Sequence, residues 1–285
     1  MRINTLDILS EPGSFERVNE DLVMLLPGLC LVLDGATGLG RNLLTDQASD
    51  AQWFVRALAM NLRAAWKGEM FEAALREAIS QTSRAFFERT QGMDVQAHEQ
   101  PSAAMVALVL EQGIPVLYQA GDCFAVSFLE GRTQRLLEQE ALEALDVADL
   151  AQMRLSISKG LSPKQAFDSV FERIVQKRVL MNTPQGYSVP STQPNSPLEL
   201  HRKELHVPTG TEVLLMTDGF GMFFEYQDLV QSKRGYPHCP NLAAGASLES
   251  ALQWTRMCET LDSTMHDIVR FKRHDDASAV RLQLT

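Results

Sequence analysis

The residues of this sequence that could do chemistry are carboxylates. Asp34, Asp122, Asp218 and Asp275 each stand at an end of an expected strand, and Glu20-Asp21 stand just before one. If those strand ends converge, four or five carboxylates share a single cleft, where like charges a few ångströms apart raise one another's pKa. Divalent cations resolve that conflict. An all-oxygen donor set with no His or Cys suits Mg2+ or Mn2+ rather than zinc. Two such ions about 3.5–4 Å apart would bind a phosphate, deprotonate a bridging water and stabilise in-line displacement.

Asp34 closes the apolar run Leu31-Val32-Leu33 and is followed by Gly35, Gly38 and Gly40. Gly35, lacking a Cβ, lets the backbone approach whatever Asp34 holds. Asp-Gly is also a hairpin signal in its own right. The junction recurs, however, at Val213-Leu214-Leu215-Met216-Thr217-Asp218-Gly219. The glycine spacing after Asp34 does not make a dinucleotide loop, because Leu43 occupies the last position of Gly-x-Gly-x-x-Gly.

Positioning these residues requires strands and covering helices. Leu22–Leu33 reads as two strands broken at Pro27-Gly28, after a short strand-like piece near the N-terminus. Ser49 caps a long helix striped by Trp53, Ala57, Leu58, Leu62, Ala65 and Trp66, and a second helix follows Gly68. Ala103–Leu110, Pro115–Ala120, Phe124–Leu129 and Arg132–Leu137 are strands whose short links permit only antiparallel neighbours. Residues 138–180 return to helix with a fresh start at Ser162-Pro163. Asn182–Pro197 reads as a surface loop, Glu212–Thr217 as a strand, and the chain ends on a strand at Ser278–Leu284. The sum is an α+β fold with antiparallel sheets, one domain over residues 1–285 with a helical insert at about 138–180.

The 285 residues are 45% hydrophobic and 22% charged, the composition of a globular chain able to bury a full core. A formal charge of −10 argues against nucleic acid or an anionic membrane as partner. No apolar run approaches the ~18 residues of a membrane span. The four cysteines, scattered and without a Cys-x-x-Cys pair, lead us to expect a reducing cytoplasm. The run Arg270-Phe271-Lys272-Arg273 could meet a phosphate, though a solvated basic face is the expectation.

The order Asn19-Glu20-Asp21, Asp34-Gly35, Gly121-Asp122, Thr217-Asp218-Gly219 and Asp275-Asp276-Ala277-Ser278 resembles that of type-2C metal-dependent protein phosphatases, bacterial members in particular. The resemblance runs from about residue 14 to 284. It implies a four-layer αββα sandwich of two antiparallel sheets with the metals at one end. Asp34 would bridge two ions and the Gly35 carbonyl would complete one. Asp218 and Asp275 would ligate the second, Glu20 would act through a metal-bound water, and Asp122 with Asp218 would hold a weaker third. Asp276 falls where the family more often has Asn. The implied reaction is hydrolysis of phosphoserine or phosphothreonine in a protein substrate without a phosphoenzyme.

The chain departs from that pattern in three places. Ala36 stands where animal members often carry a general-acid His, which leaves a metal-bound water or His274 to protonate the leaving oxygen. Arg17, the candidate for the substrate phosphate, lies three residues before Glu20 rather than the family's usual four. The helical segment at 138–180 is longer than expected and falls where the family places its variable flap, which would govern access. Two other functions fit the same residues: a catalytically silent binding module, and a two-metal hydrolase of small phosphate esters.

Overall fold

The computed structural model describes residues 1–40, 43–129, 131–137, 140–193 and 198–285, with side chains of the helix that begins at Glu140 described from residue 146. In chain order β1 (Ile3–Glu11), β2 (Leu22–Leu26) and β3 (Leu29–Ala36) precede α1 (Asp50–Ala65) and α2 (Phe71–Arg89). Four strands follow: β4 (Ser102–Glu111), β5 (Ile114–Ala120), β6 (Phe124–Leu129) and β7 (Arg132–Arg135). Next come α3 (Glu140–Ser158), α4 (Pro163–Asp168) and α5 (Phe171–Val179). The last part comprises β8 (His201–Glu204), β9 (Glu212–Met216), α6 (Asp218–Ser232), α7 (Leu248–Leu261) and β10 (Ala277–Leu284).

The strands form two five-stranded sheets, ordered β1-β10-β9-β6-β7 and β2-β3-β4-β5-β8, with every pairing antiparallel. Alternation along each strand sorts side chains into layers. On β3, Leu29, Leu31 and Leu33 pack against α1 and α2, whereas Cys30 and Val32 face the other sheet. On β9, Leu214 and Met216 pack against α6 and α7, whereas Val213 and Leu215 meet the inter-sheet layer. Helices, two sheets and helices thus make the four layers of an α+β sandwich. Burial on both faces explains why Ala103–Val109 is apolar without alternation.

Ser49 accepts from the Gln52 N–H at 3.2 Å and caps α1, and Ser162 forms a capping box with Gln165 at the start of α4. Helices α3 to α5 share a small core of Met153, Ala166 and Val170 that closes on Val269. No described helix is long and apolar enough to cross a membrane.

The elements depart from the sequence expectations at a few points. The N-terminal piece is a nine-residue strand paired with the C-terminal one, Ile3 opposite Leu284. Strand β8 went unread because His201-Arg202-Lys203-Glu204 has no apolar residue and is exposed throughout. The segment 182–193 is surface loop only in part: Pro184 and Gln185 are exposed, whereas Val189, Ser191 and Thr192 are buried, and Ser191 bridges Ser102 at the start of β4. Asn182 replaces the missing strand partners, donating to the Val189 carbonyl and accepting from the Val189 N–H, both at 2.9 Å. Residues 194–197 of that loop and 138–139 of the helical stretch lie outside the described residues.

Candidate metal centre

Strand parity decides where the acids go. Asp34 continues the Cys30, Val32 face of β3 and so reaches the mouth of the inter-sheet layer. Thr217 continues the Val213, Leu215 face of β9, and its hydroxyl donates to Asp21 Oδ2 at 3.0 Å. Asp218 is the first residue of α6, where the N-terminal peptide dipoles favour a negative charge. Gly219 must be glycine, since a Cβ there would stand 1.9 Å from the Asp276 carbonyl oxygen and 3.2 Å from Asp275 Cβ. That close approach brings the start of α6 against the segment entering β10. Gly35 is constrained likewise, with the Glu20 carbonyl oxygen 2.5 Å from the position of a Cβ. Gly121, at φ +80°, turns the chain into Asp122 at the same end.

The carboxylates lie in one another's field. Asp34 is raised well above the usual carboxylate range by burial, then by repulsion from Asp21, Asp218, Asp122 and Asp275. Burial and Asp218 push Asp122 up to about 7. Asp218 is raised by burial and Asp275, an effect moderated by a hydrogen bond from the Asp34 carboxyl and by Lys272. Asp21 is raised by burial and Asp276, and its Oδ1 is buried without a hydrogen-bond partner among the described residues. Asp34, Asp122 and Asp275 are nevertheless half-buried and Asp218 touches solvent. Water thus reaches the cluster, while the protein packed around the carboxyls denies them full hydration.

The neighbours have their own partners. Asp275 Oδ1 accepts from Lys272 Nζ at 2.6 Å, and burial of that ammonium is outweighed by Asp275, Asp34 and Asp218, so Lys272 is raised. Asp276 accepts from the Gly13 and Glu20 N–H groups, both at 2.7 Å, tying the loop between β1 and β2 to the Asp275 segment. The Glu20 side chain turns away to Thr37 (2.8 Å) and Ser49. Arg17 is exposed on that loop. His274 Nδ1 lies 2.6 Å from the buried Glu259 carboxylate. Arg270, instead of joining a solvated face, is 7% exposed and pairs with Asp262 at 3.1 Å.

The insert also reaches this end. Asp146 of α3 contributes to raising Asp122 and is paired with Lys177 of α5 at 2.5 Å. The next residue, Arg178, donates to the Ala36 carbonyl at 2.7 Å. Among the described residues no three His, Cys, Asp or Glu side chains close around a point that could hold a metal ion; the acids instead take the proton and ammonium partners just described. Two cavities of about 300 and 360 Å3, lined by residues such as Phe224 and His238 or Met70 and Tyr118, lie away from the carboxylates.

Asp21 was legible as an acid just before a strand and as part of the opening motif, but was assigned no role. Its place beside Asp34 follows from the register Leu22 opposite Leu33. Lys272 was legible as a charge but not as the Asp275 partner.

The sequence pattern of protein phosphatase 2C matches residues 26–254, most of the chain, and the protein belongs to that family of metal-dependent phosphatases. Nothing among curated protein sequences matches it. Solved structures share the fold over the whole length. The serine/threonine phosphatase PstP/Ppp of Mycobacterium tuberculosis aligns with a TM-score of 0.58 at 14% identity, covering 100% of this chain and 99% of that one. PppA, a key regulatory component of T6SS in Pseudomonas aeruginosa, gives 0.54 at 16% identity, with 100% and 99% covered. The PstP catalytic domain in complex with two manganese ions gives 0.54 at 15% identity, with 99% and 98% covered.

Proposed function

We propose that this chain hydrolyses phosphoserine and phosphothreonine in proteins with the help of Mg2+ or Mn2+. The observation that supports this most is the mutual repulsion of Asp34, Asp122 and Asp218, with Asp21 and Asp275 in the same field, in a chain of the protein phosphatase 2C family. The donors are all oxygen, which fits hard divalent cations, and the unpartnered Asp21 Oδ1 leaves a buried acceptor for a cation or its water to satisfy. The manganese pair in the PstP domain supports the same choice of ion.

Asp34, Asp218 and Asp275, with the Gly35 carbonyl, would hold two ions; Glu20 would act through water, and Asp122 with Asp218 would hold a weaker third. When bound, the ions supply Lewis acidity toward the phosphoryl oxygens and a water nucleophile at neutral pH. Arg17 would pair with a phosphate oxygen of the substrate, on a loop that Asp276 keeps registered to the Asp275 segment. Ala36 offers no acid beside Gly35. His274 can present only Nε2 to the leaving oxygen, because Nδ1 faces Glu259. We read residues 1–285 as one phosphatase domain, the helices between 138 and 180 as its flap, and four free thiols as favouring a reducing cytoplasm.

The test is phosphate release from phosphoserine and phosphothreonine peptides with Mn2+ and with EDTA. Release in Mn2+ and none in EDTA is expected. Turnover confined to small phosphate esters would make the chain a small-ester hydrolase, and phosphopeptide binding without turnover would make it a binding module.

A further inference from the structure

The end of β3 is poorly supported on one flank. Its partner β2 stops pairing at Leu33, so beyond that point Asp34, Gly35 and Ala36 have β4 on one side only, Ala36 opposite Ser102. On the other side the Gly35 N–H donates to the Glu20 carbonyl at 3.2 Å. The Ala36 carbonyl, at the last residue of the strand, is taken by Arg178 Nη2 at 2.7 Å. The same nitrogen lies 3.4 Å from the Gln100 carbonyl, just ahead of β4, and the guanidinium also bonds the Tyr187 hydroxyl. Arg178 therefore joins the ends of β3 and β4 and the 182–193 segment to α5, across 142 residues of sequence in the case of Ala36. A charged, planar donor suits this task, because a guanidinium can address several carbonyls in fixed directions and its bonds are stronger than neutral ones.

Helix α5 is itself anchored. Lys177 pairs with Asp146 and Asp149, at 2.5 and 2.6 Å, and Arg173 pairs with Asp149 at 2.5 Å. These contacts lie within the insert and do not touch β3. The insert is thus fastened to the very backbone that carries Asp34 and the Gly35 carbonyl.

We infer that Arg178 is a positioning residue for the metal centre, holding the Asp34-Gly35-Ala36 backbone in the geometry that a pair of divalent cations requires, so that this side chain couples the helical insert to the ions. The inference rests on the phosphatase reading. Groups that orient metal donors without touching the metal change affinity or activity by roughly 10–100-fold when removed.

Mn2+ binding is measured directly, by the loss of the free-ion electron paramagnetic resonance signal on titrating folded protein, beside steady-state hydrolysis of an aryl phosphate. Arg178→Ala should weaken Mn2+ binding about tenfold or more and lower kcat with little change in KM, with excess Mn2+ restoring part of kcat. Arg178→Lys, which retains one charged donor, should fall between the alanine variant and the parent, and it serves alone if the alanine variant does not fold. Arg173→Ala, which loosens the insert away from Ala36, should bind Mn2+ as the parent does. Parental Mn2+ affinity in folded Arg178→Ala and Arg178→Lys, or an equal loss in Arg173→Ala, overturns the positioning role while leaving the phosphatase reading intact. A parent that binds no Mn2+ and releases no phosphate removes both.

Discussion

The buried Asp262 and the half-buried cluster around Asp34 are handled in opposite ways. Asp262, at the end of α7, is 3% exposed and accepts from Arg270 Nη1 at 3.1 Å, from the Tyr226 hydroxyl at 3.2 Å, and from the Asp267 and Ile268 N–H groups at 3.0 Å. Arg270 spends its remaining donors on the carbonyls of Glu259, Asp262, Ile268 and Arg273, at 2.9–3.2 Å. Charge and hydrogen bonds there are matched within the chain. Asp34, by contrast, has four other aspartates acting on it, and the Lys272 ammonium is bonded to Asp275. A buried acid matched by its own cation is structure, whereas five crowded acids sharing one ammonium are, on the reading proposed above, the group that would take a cation from outside.

The largest expected effect tests the waiting group. Asp34→Asn should lower phosphopeptide turnover by more than roughly 100-fold, beyond what losing an outer-shell group costs. The same change should raise the melting temperature in EDTA, because a neutral isostere relieves the repulsion. A variant that melts lower in EDTA would mean that the Asp34 bond to Asp218 outweighs the repulsion around it, and the contrast with Asp262 would collapse.

Next in size is the matched group. Arg270→Ala strands Asp262 in the interior and should cost about 3–5 kcal/mol of stability in urea unfolding. It removes a partner, as metal removal would at the proposed metal centre, but here no added Mn2+ should restore what is lost. Recovery of stability by Mn2+ would erase the distinction.

A smaller, graded effect comes from pH. The Asp122 pKa lies at about 7 against an ordinary 3.8, so the folded, metal-free protein binds more protons than the unfolded chain between those values. Stability of the metal-free protein therefore falls as pH rises from about 4 through about 7 and levels off above. Asp34, Asp218 and Asp21, all raised, act in the same direction. Melting curves in EDTA should carry this slope and curves in saturating Mn2+ should lose it, since the carboxylates are then ionised in the folded state too. Parallel curves would show that these acids are not the ones that meet the metal.

Some of this was readable in advance because local rules sufficed. Leu31-Val32-Leu33 before Asp34, and Val213 to Met216 before Asp218, announce strands that end in a carboxylate, and Ser49 and Ser162-Pro163 announce helix starts. Arg270 was misjudged because three basic residues within four look solvated, while its burial depends on Tyr226 and Asp262 from two other elements. Polar 182–193 looked like surface for the same reason, its Asn182 hydrogen bonds being local but its burial under β4 being long-range. Strand β8 exists by pairing with β5, Arg202 opposite Tyr118, not by its own composition.

What the sequence determined by itself is the inventory: which strands end in acids, which helices cover them, and that the donors are oxygen. Periodicity and turn chemistry act over a few residues and need no partner to be read. Which acid stands beside which, that Asp21 joins Asp34, that Lys272 meets Asp275, and that Arg178 reaches Ala36 were decided only by tertiary structure. Those contacts depend on sheet register and on packing between segments far apart in the chain, 263 residues in the bond from Gly13 to Asp276. Electrostatic energy depends on distance in space, which local sequence does not specify.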